Sequence, residues 1–253
     1  MSEYDPFLAP AKAELRRRLH QEAKSLGLTA RAIDVLVARA AIVTNVRARQ
    51  ILCTSSDPDD FVRFVVCGCV IVRCKIGRSI LIVRFLGPGR FFCVPPTRRR
   101  DGGYICEFVA HDEPVVALLT RAHLQEALAT LPPSGSAQLT SAAWRDAFRL
   151  ALDKAALLRM PLRARLIPEL RRLVRHFGRR VEAGWTIELD LTHQLLADLV
   201  GASRAQVTKA LAPLKKAGLV RQTGRRFFVS DRMVDGPAPT GGPTTPTTAA
   251  CAA

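Results

Sequence analysis

Hydrophobic residues recur along the chain with changing periods, and those changes predict the order of the elements. Residues 8–40 have helical spacing. From about Arg49 to Leu119, short runs of Val, Ile and Phe are separated by glycines at 68, 77, 87, 89, 102 and 103, which predicts the strands of a small antiparallel barrel or sandwich. Helical spacing then returns in a short helix over 120–131 and, after a break at 132–136, in a long helix from about Ala137 to Met160.

One apolar run, Phe64 to Val72, carries hydrophobic residues at both odd and even positions. That pattern predicts a single strand that is covered on both faces. Cys67 and Cys69 would then lie two apart on one face, a spacing that allows a thiol switch or a metal site. Free cysteine is often buried as a small hydrophobic side chain, so we favour a structural role for the cysteines.

The long helix carries an apolar seam at intervals of four and three residues, formed by Trp144, Phe148, Ala151, Ala155 and Leu158. This heptad-like spacing favours a pair of helices from two copies of the chain, with packing of the seam back onto the barrel as the alternative. Pro161 ends the helix and marks a hinge. A basic amphipathic helix is predicted to follow over 162–178.

Capping residues delimit two short amphipathic helices near the carboxyl end. Thr192 can cap the first helix, and Gly201 suits the left-handed residue at its end. Ser203 and Gln206 have the spacing of a capping box, which starts the second helix.

The second helix has two unlike faces. One is an apolar stripe at helical spacing, made of Val207, Ala210, Leu211 and Leu214. The other carries Arg204, Thr208 and Lys209 near the end from which recognition helices reach base edges. Strands are predicted over 219–222 and 225–229. The whole predicts a winged helix-turn-helix that places its second helix in the major groove of DNA, with a generic helical hairpin as the alternative.

The charge distribution agrees with a polyanionic partner. The formal net charge is +16, and residues 145–232 hold 19 Lys and Arg against 8 Asp and Glu. Lys and Arg that neutralise phosphates supply most of the non-specific affinity for DNA. A ribosomal, heparin or membrane-surface partner would suit the net charge but not the helix-turn-helix pattern.

The segment LTHQLLADLVGASRAQVTKAL at Leu191–Leu211 resembles the helix-turn-helix of the cyclic AMP receptor protein (CRP/FNR) family of bacterial transcription regulators. Gly87–Phe92 is similar to the family's glycine turn before its effector pocket, and the resemblance covers roughly 45–232. It implies an α+β fold with a cyclic-nucleotide-binding-like antiparallel β-barrel (jelly roll), a long dimerisation helix and a carboxyl-terminal winged helix-turn-helix.

The expected domains follow from this resemblance and from composition. They are a helical segment 1–44, a sensor barrel 45–135, a dimerisation helix 136–160, a DNA-binding domain 161–232 and a tail 233–253. The tail is rich in Pro, Gly, Thr and Ala and is expected to be disordered.

The resemblance also assigns roles to single residues. Arg204 matches the arginine that reads guanine, Lys209 matches a second basic base-reader, and Thr208 beside them completes the set of expected base contacts. Ala205 stands where many members have glutamate, so the usual half-site is not expected. The positions that match backbone-phosphate contacts are Thr192, Gln194, Ser203, Gln206 and Arg225. The implied assembly is a homodimer on a pseudo-palindromic site in double-stranded DNA, with RNA polymerase as a further partner.

The sensor half departs from the family's cyclic AMP pattern. Cyclic AMP binders carry a Gly-Glu pair and an Arg-Ser or Arg-Thr pair, whereas the matching segments here are Phe92–Pro96 and Tyr104–Cys106. Because a buried cyclic phosphate without a cationic partner is costly, we do not expect cyclic AMP, and we place 98–100, three arginines, in solvent. Cyclic di-GMP, another small-molecule effector or no ligand remain open, and no metal, haem or other cofactor is assigned.

No catalytic residue is expected, since the sequence has no P-loop, HExxH or GxSxG motif. No apolar run approaches the roughly 20 residues of a membrane span. Without a visible signal peptide, we expect a cytoplasmic location and reduced cysteines. Two other functions stay open: an effector or redox sensor that acts mainly through a protein partner, with weak DNA binding, and a thiol- or metal-dependent enzyme.

Overall fold

The structure of this protein, a computed structural model, describes residues 8–56, 60–94, 104–157 and 159–236. The chain divides into two compact units, Met1–Lys154 and Ala155–Ala253. None of the helices in the described part is both long and apolar enough to cross a membrane.

The amino-terminal helical stretch consists of two helices, α1 (Leu8–Leu26) and α2 (Ala30–Arg39). Gly27 separates them in the left-handed region, with φ 68°, where glycine is favoured. Thr29 caps α2, because its hydroxyl accepts a hydrogen bond from the Ala32 N–H at 3.2 Å. The buried side chains of the two helices include Leu15, Leu19, Ile33 and Leu36.

Within the described residues of the amino-terminal unit, eight strands form two antiparallel sheets of four. They are β1 (Ala41–Val43), β2 (Ile51–Thr54), β3 (Phe61–Cys67), β4 (Val70–Ile76), β5 (Ser79–Leu86), β6 (Phe91–Cys93), β7 (Tyr104–Ala110) and β8 (Val115–Thr120). One sheet has the order β1-β8-β3-β6 and the other β2-β7-β4-β5. Val65 and Val116 from the first sheet pack with Val70 and Phe108 from the second. The predicted antiparallel β architecture is confirmed.

The first strand corrects one expected boundary. β1 pairs with β8 along its whole length, from Ala41 opposite Leu118 to Val43 opposite Val116. The helical segment therefore ends at Arg39 and not at residue 44, and Ala41–Val43 belong to the barrel.

The apolar run 64–72 is not one strand, so that prediction was wrong. It divides at Gly68 into β3 and β4, which lie in different sheets. Gly68 turns the chain with φ 78°, and a Cβ on it would lie 2.7 Å from Asp112 Oδ1. Cys67 and Cys69 consequently do not share a strand face, since Cys67 is exposed at the end of β3 and Cys69 is buried beyond the turn.

Strand β3 is nevertheless covered on both faces, as its composition predicts. Phe64 and Val66 pack against the apolar sides of α1 and α2, whereas Val65 points into the space between the sheets. Because both faces of β3 are buried, the residues before and after Gly68 are apolar at odd and even positions alike. The hydrophobic periodicity therefore does not change at the turn.

Two helices follow directly after β8 in the described part of the chain. α3 (Arg121–Leu128) begins after Thr120, whose hydroxyl accepts from the His123 N–H at 3.1 Å. α4 (Pro133–Leu157) starts inside the stretch predicted as a break. Proline is tolerated at the start of a helix because the N–H it lacks would have no helical partner there.

Helix α4 lies against β5. Arg84 donates from Nη1 to Asp146 Oδ2 at 2.6 Å, and Lys154 Nζ donates to the carbonyl of Ile82 at 3.2 Å. These contacts fix which side of α4 faces the sheet.

The carboxyl-terminal unit is a winged helix-turn-helix with an additional hairpin. Its elements are α5 (Leu162–Phe177), β9 (Gly178–Val181), β10 (Gly184–Ile187), α6 (His193–Val200), α7 (Arg204–Lys216), β11 (Val220–Thr223), β12 (Arg226–Ser230) and α8 (Asp231–Val234). The four strands form one antiparallel sheet in the order β11-β12-β10-β9. The β9–β10 hairpin was not predicted, because β9 reads Gly-Arg-Arg-Val and lacks an apolar alternation.

The short helix α8 corrects the start of the tail. Met233 is buried, and Arg171 on α5 donates from Nε to its carbonyl at 2.7 Å. The expected disordered tail therefore does not begin at residue 233. The rest of that predicted tail, residues 237–253, lies outside the described residues.

Candidate DNA-binding site

The turn between α6 and α7 is built from the capping residues that the sequence predicts. Thr192 Oγ1 accepts from the Leu195 N–H at 3.1 Å. Ser203 Oγ accepts from the Gln206 N–H at 3.2 Å, and Gln206 Oε1 accepts from the Ser203 N–H at 2.9 Å, which is a complete capping box. Gly201 adopts the left-handed conformation between the helices, with φ 63° and ψ 53°.

An arginine from α5, which the sequence gave no reason to expect, also holds this turn. Arg165 donates from Nη1 to the carbonyls of Val200 and Gly201 at 2.8 and 3.3 Å. Carbonyls at the end of a helix lack helical donors, so Arg165 supplies the missing hydrogen bonds and fixes the direction in which α7 leaves the turn.

Helix α7 has the two faces expected from its sequence. The apolar residues Val207, Leu211 and Leu214 are fully buried, and Ala210 is half-buried. The three predicted base-contacting residues, Arg204, Thr208 and Lys209, are exposed. A helix anchored by one face and displaying donors on the other has the form of a recognition helix.

The five residues predicted to contact phosphates gather at the starts of the two helices and at the wing. Thr192, Ser203 and Gln206 use their side chains for capping. Gln194 is exposed and donates from Nε2 to Asp198 Oδ1 at 2.7 Å. Arg225 is exposed in the turn between β11 and β12. The first backbone N–H groups of a helix suit anions, so these positions remain compatible with phosphate contacts.

A polar network joins α6, α7 and the wing, and the sequence analysis missed it. His193 Nδ1 lies 2.8 Å from Thr208 Oγ1, and His193 Nε2 lies 2.9 Å from Gln222 Oε1. Lys215 Nζ donates to the same Gln222 oxygen at 2.8 Å. Gln222 in turn donates from Nε2 to the carbonyl of Gly224 at 2.9 Å. The network connects an exposed hydroxyl of the recognition helix with the turn of the wing.

Thr208 also has a contact within its own helix. Its hydroxyl donates to the carbonyl of Arg204 at 2.9 Å, and its oxygen lies within hydrogen-bond distance of His193 Nδ1. Gln222 Oε1 can only accept, and it accepts from Lys215. The network therefore fixes the positions of Thr208 and Gln222 relative to His193.

The wing adds further cations. Arg226 Nε lies 3.2 Å from Asp190 Oδ1, and the guanidinium of Arg221 lies over the ring of Phe228, 4.2 Å from its centroid. Among the described residues, Arg204, Lys209 and Arg225 have no carboxylate partner. The exposed positive charge of this surface is concentrated on α7 and the tip of the wing.

The predicted seam of α4 is exposed. Trp144 is 71% exposed and Phe148 is 63% exposed, while Ala151 and Ala155 are also exposed. Leu152 belongs to this face, at 55% exposure, and the prediction omitted it. For Trp144 and Phe148, packing back onto the barrel is thereby ruled out. Leu158, the last predicted member of the seam, lies outside the described residues.

The segments compared with cyclic AMP binders are described only in part. Gly89 has φ 90°, and its N–H donates to the carbonyl of Val65 at 3.0 Å, so the predicted glycine turn is tied to β3. Residues 95–103, which include the arginines 98–100, lie outside the described residues. In the described part of the chain, no group of three or more His, Cys, Asp or Glu could hold a metal ion.

Comparison with known proteins matches part of the chain to a sequence family and to curated transcriptional regulators. The Crp-like helix-turn-helix domain family matches residues 164–233. The CRP-like cAMP-activated global transcriptional regulator of Mycobacterium tuberculosis is 33% identical over 99 residues, which are 39% of this chain and 44% of that protein. The match thus spans less than half the length of this curated relative.

Solved structures are similar over most of the chain. A CooA mutant from Carboxydothermus hydrogenoformans superimposes with a TM-score of 0.64 at 20% identity, covering 83% of this chain and 96% of that one. FixK2 from Bradyrhizobium japonicum gives 0.61 at 22% identity, covering 76% and 93%. The c-di-GMP responsive global regulator CLP of Xanthomonas campestris gives 0.61 at 20% identity, covering 80% and 99%. At these identities the likeness establishes the shared fold.

Proposed function

We propose that this chain, which carries a Crp-like helix-turn-helix domain at residues 164–233 on the fold of the CRP/FNR transcriptional regulators, regulates transcription by binding DNA in a sequence-specific way. The observation that carries the proposal is the exposure of Arg204, Thr208 and Lys209 along one face of α7. Side chains of this kind have no role in the core, whereas donors near the start of a recognition helix can reach base edges in the major groove.

Each of the three exposed residues has a distinct expected role. Arg204 can donate two hydrogen bonds to O6 and N7 of guanine, a contact that discriminates bases by roughly 1–3 kcal/mol. Lys209 supplies a second cationic donor about 1.4 turns further along the helix. Thr208, whose oxygen lies 2.8 Å from His193 Nδ1, lies between them in sequence and contacts the neighbouring base pair.

The phosphates are held around this helix. Thr192, Gln194, Ser203 and Gln206 bring the amino-terminal ends of α6 and α7 to the backbone, and Arg225 reaches a phosphate from the wing. Several phosphate contacts make the affinity fall steeply with salt concentration.

The functional unit in this proposal is a homodimer. A second copy of the chain covers the exposed apolar face of α4, and the two recognition helices then meet half-sites about 34–36 Å apart on one side of the DNA. The expected operator is pseudo-palindromic for the same reason. RNA polymerase as a further partner, a cytoplasmic location and the absence of enzymatic activity belong to the same proposal.

The input of the sensor-like barrel is not cyclic AMP in this proposal, because Phe92–Pro96 and Tyr104–Cys106 lack the residue pairs that the ribose and the cyclic phosphate require. Another small-molecule effector is compatible with the fold. The alternative function, output mainly through a protein partner with weak DNA binding, gives no reason for the unpaired cations Arg204 and Lys209.

The experiment that tests the function is selection of bound duplexes from a random pool by the full-length protein. We expect an enriched pseudo-palindrome whose half-sites are separated by about one helical turn. Recovery of unenriched sequences, or of no DNA at physiological salt, would refute sequence-specific binding.

A further inference from the structure

Two thiols on neighbouring strands of the second sheet are in contact. Cys74 lies on β4 and Cys106 on β7, with their Sγ atoms 2.9 Å apart. Both residues are half-buried. The sequence gives no indication of the pair, because 32 positions separate the two residues and only the sheet register brings them together.

The backbone around Cys106 defines the type of pair. Cys74 and Cys106 are directly opposite in the antiparallel ladder. The Cys106 N–H donates to Ser55 Oγ at 2.9 Å, and the Cys106 carbonyl accepts from the Ser55 N–H at 2.8 Å. Both groups therefore point toward the β2 side and away from β4, so Cys74 and Cys106 form a non-hydrogen-bonded pair.

That type of pair has the geometry that a disulfide needs. Opposite Cα atoms in non-hydrogen-bonded pairs lie about 4.5 Å apart and their side chains approach most closely. Disulfides bridge Cα atoms at roughly 4.4–6.8 Å, with a bond of about 2.05 Å between the sulfurs. Closing the contact requires a movement of the sulfurs of about 1 Å and no change of strand register.

The position along the ladder makes the pair accessible to small molecules. On the same face, the next pair inward is Val72 opposite Phe108, in the sheet interior. The next pair outward is Ile76 opposite Tyr104, and both of these side chains are more than half exposed. The thiols consequently lie at the boundary between the core and the open end of the sheet.

Neighbouring charges do not ionise Cys74. Arg73 and Lys75 alternate to the opposite face, where they bind Glu107 at 2.6 and 2.9 Å. Burial and a hydrogen bond to Cys106 raise the pKa of Cys74 to about 12. Cys74 therefore stays protonated at neutral pH, so its reactivity depends on its contact with Cys106 and not on a neighbouring cation.

We propose that Cys74 and Cys106 form a reversible intrachain disulfide on exposure to a hydroperoxide, which makes this end of the sheet a redox-modifiable site. One of the two sulfurs, as the thiolate, attacks one peroxide oxygen, the O–O bond breaks, and hydroxide leaves and takes up a proton to become water. The other sulfur then displaces the sulfenic hydroxyl, which leaves as a second water with the proton of that second thiol. Two thiols and one hydrogen peroxide thus give one disulfide and two waters, and an external dithiol reverses the reaction.

A bound metal is a less suitable explanation for the contact. Structural zinc sites use four ligands, and no cluster of three or more His, Cys, Asp or Glu exists within the described residues. The competing cysteine is Cys53, which is buried and lies opposite Phe108 in the β2–β7 ladder. The test therefore has to identify which cysteines become linked.

The experiment is disulfide mapping of the full-length protein. Protein reduced with a dithiol and then freed of it is treated with increasing hydrogen peroxide, alkylated with N-ethylmaleimide, digested and analysed by mass spectrometry without reduction. We expect a Cys74–Cys106 linked peptide at peroxide doses that leave Cys67 largely alkylated, and we expect dithiothreitol to restore both alkylated peptides. C74S and C106S should each abolish the linked peptide, while C67S should retain it.

Three outcomes would overturn the proposal. They are full alkylation of Cys74 and Cys106 at doses that oxidise exposed Cys67, a link from either residue to Cys53, and conversion of Cys106 to the sulfinic acid without a linked product. The mapping uses the wild-type protein, so it decides the matter even if a serine variant folds poorly.

Discussion

The two units of the molecule expose different kinds of side chain. The amino-terminal unit buries the carboxylate of Glu107 beside Arg73 and Lys75, yet leaves the aromatic side chains of Trp144 and Phe148 exposed. The carboxyl-terminal unit buries the apolar stripe of α7 and exposes cations beside it. Covering an apolar surface with a second protein surface lowers the free energy because it removes that surface from water. Exposed cations instead favour binding of the phosphates of a nucleic acid. The contrast indicates a surface for another protein chain on one unit and a surface for DNA on the other.

The largest expected effect concerns the apolar surface. Removing both aromatic side chains with Trp144→Ala and Phe148→Ala should weaken the homodimer by about 4 kcal/mol, at about 2 kcal/mol for each interface anchor. This corresponds to a dissociation constant roughly 1,000-fold higher, measured by sedimentation equilibrium. The double variant Arg145→Ala and Arg149→Ala, on the same helix beside the seam, is the matched control. A wild-type protein that sediments as a monomer, or an equal loss in the control, would contradict a dimer seam here.

The next effect concerns a buried charge in the same unit. Glu107→Gln should lower the free energy of unfolding by about 2 kcal/mol at pH 7. That is less than the 3–5 kcal/mol typical of a broken buried ion pair, because Arg73 and Lys75 are partly solvated. Urea unfolding of the full chain measures this change. Glu126→Gln, which removes an exposed partner of Arg39, should have little effect.

The stabilisation that Glu107 provides should depend on pH. Burial raises the pKa of Glu107, but hydrogen bonds from Lys75 and Arg73 lower it by more, so the folded-state pKa is lowered. The carboxylate therefore contributes stability that is complete above the unfolded value of about 4.3 and is lost as the pH falls through the folded pKa. The difference in stability between wild type and Glu107→Gln should accordingly shrink at acidic pH. A constant difference from pH 7 to acidic pH would show that Glu107 acts through packing alone.

A smaller effect on DNA binding is expected from His193, which contacts Thr208 on α7 and Gln222 on the wing. His193→Ala removes the bridge from Thr208 to Gln222 and should weaken binding to every duplex by about 1 kcal/mol, the value of one ordinary hydrogen bond, or roughly fivefold. Hydrogen exchange of the β11 amides should quicken in the same variant, because Gln222 loses its partner on α6. His176→Ala, an exposed histidine at the end of α5, serves as the control. Unchanged exchange in β11 would mean that His193 does not hold the wing.

Local patterns of sequence predicted the carboxyl-terminal site better than the barrel. The capping box of Ser203 and Gln206 and the left-handed Gly201 depend on neighbours within a few residues, so spacing alone identifies them. Gly68 was among the glycines that separate the apolar runs, yet 64–72 was still assigned to one strand because apolar residues surround that glycine on both sides. The hairpin that begins at Gly178 was missed because its first strand carries two exposed arginines.

Contacts between residues far apart in sequence could not be predicted from local patterns. His193 meets Gln222 only after the wing folds back beside α6, and Cys74 meets Cys106 only through the pairing of β4 with β7. The sequence separations, 29 and 32 positions, leave no periodic trace. Arg165 likewise reaches the turn at Gly201 from another helix, so its role could be recognised only in three dimensions.

The central claim is that α7 reads bases while the wing holds the backbone, and a pair of arginine variants tests it most directly. Affinities of wild type, Arg204→Ala and Arg225→Ala are measured on the selected duplex and on a scrambled duplex at two salt concentrations. Arg204→Ala should reduce the ratio of the two affinities by roughly 5- to 150-fold, which corresponds to about 1–3 kcal/mol. Arg225→Ala should weaken both duplexes alike and reduce the salt slope by about one. The reverse ranking, with base preference lost in Arg225→Ala and kept in Arg204→Ala, would contradict the account.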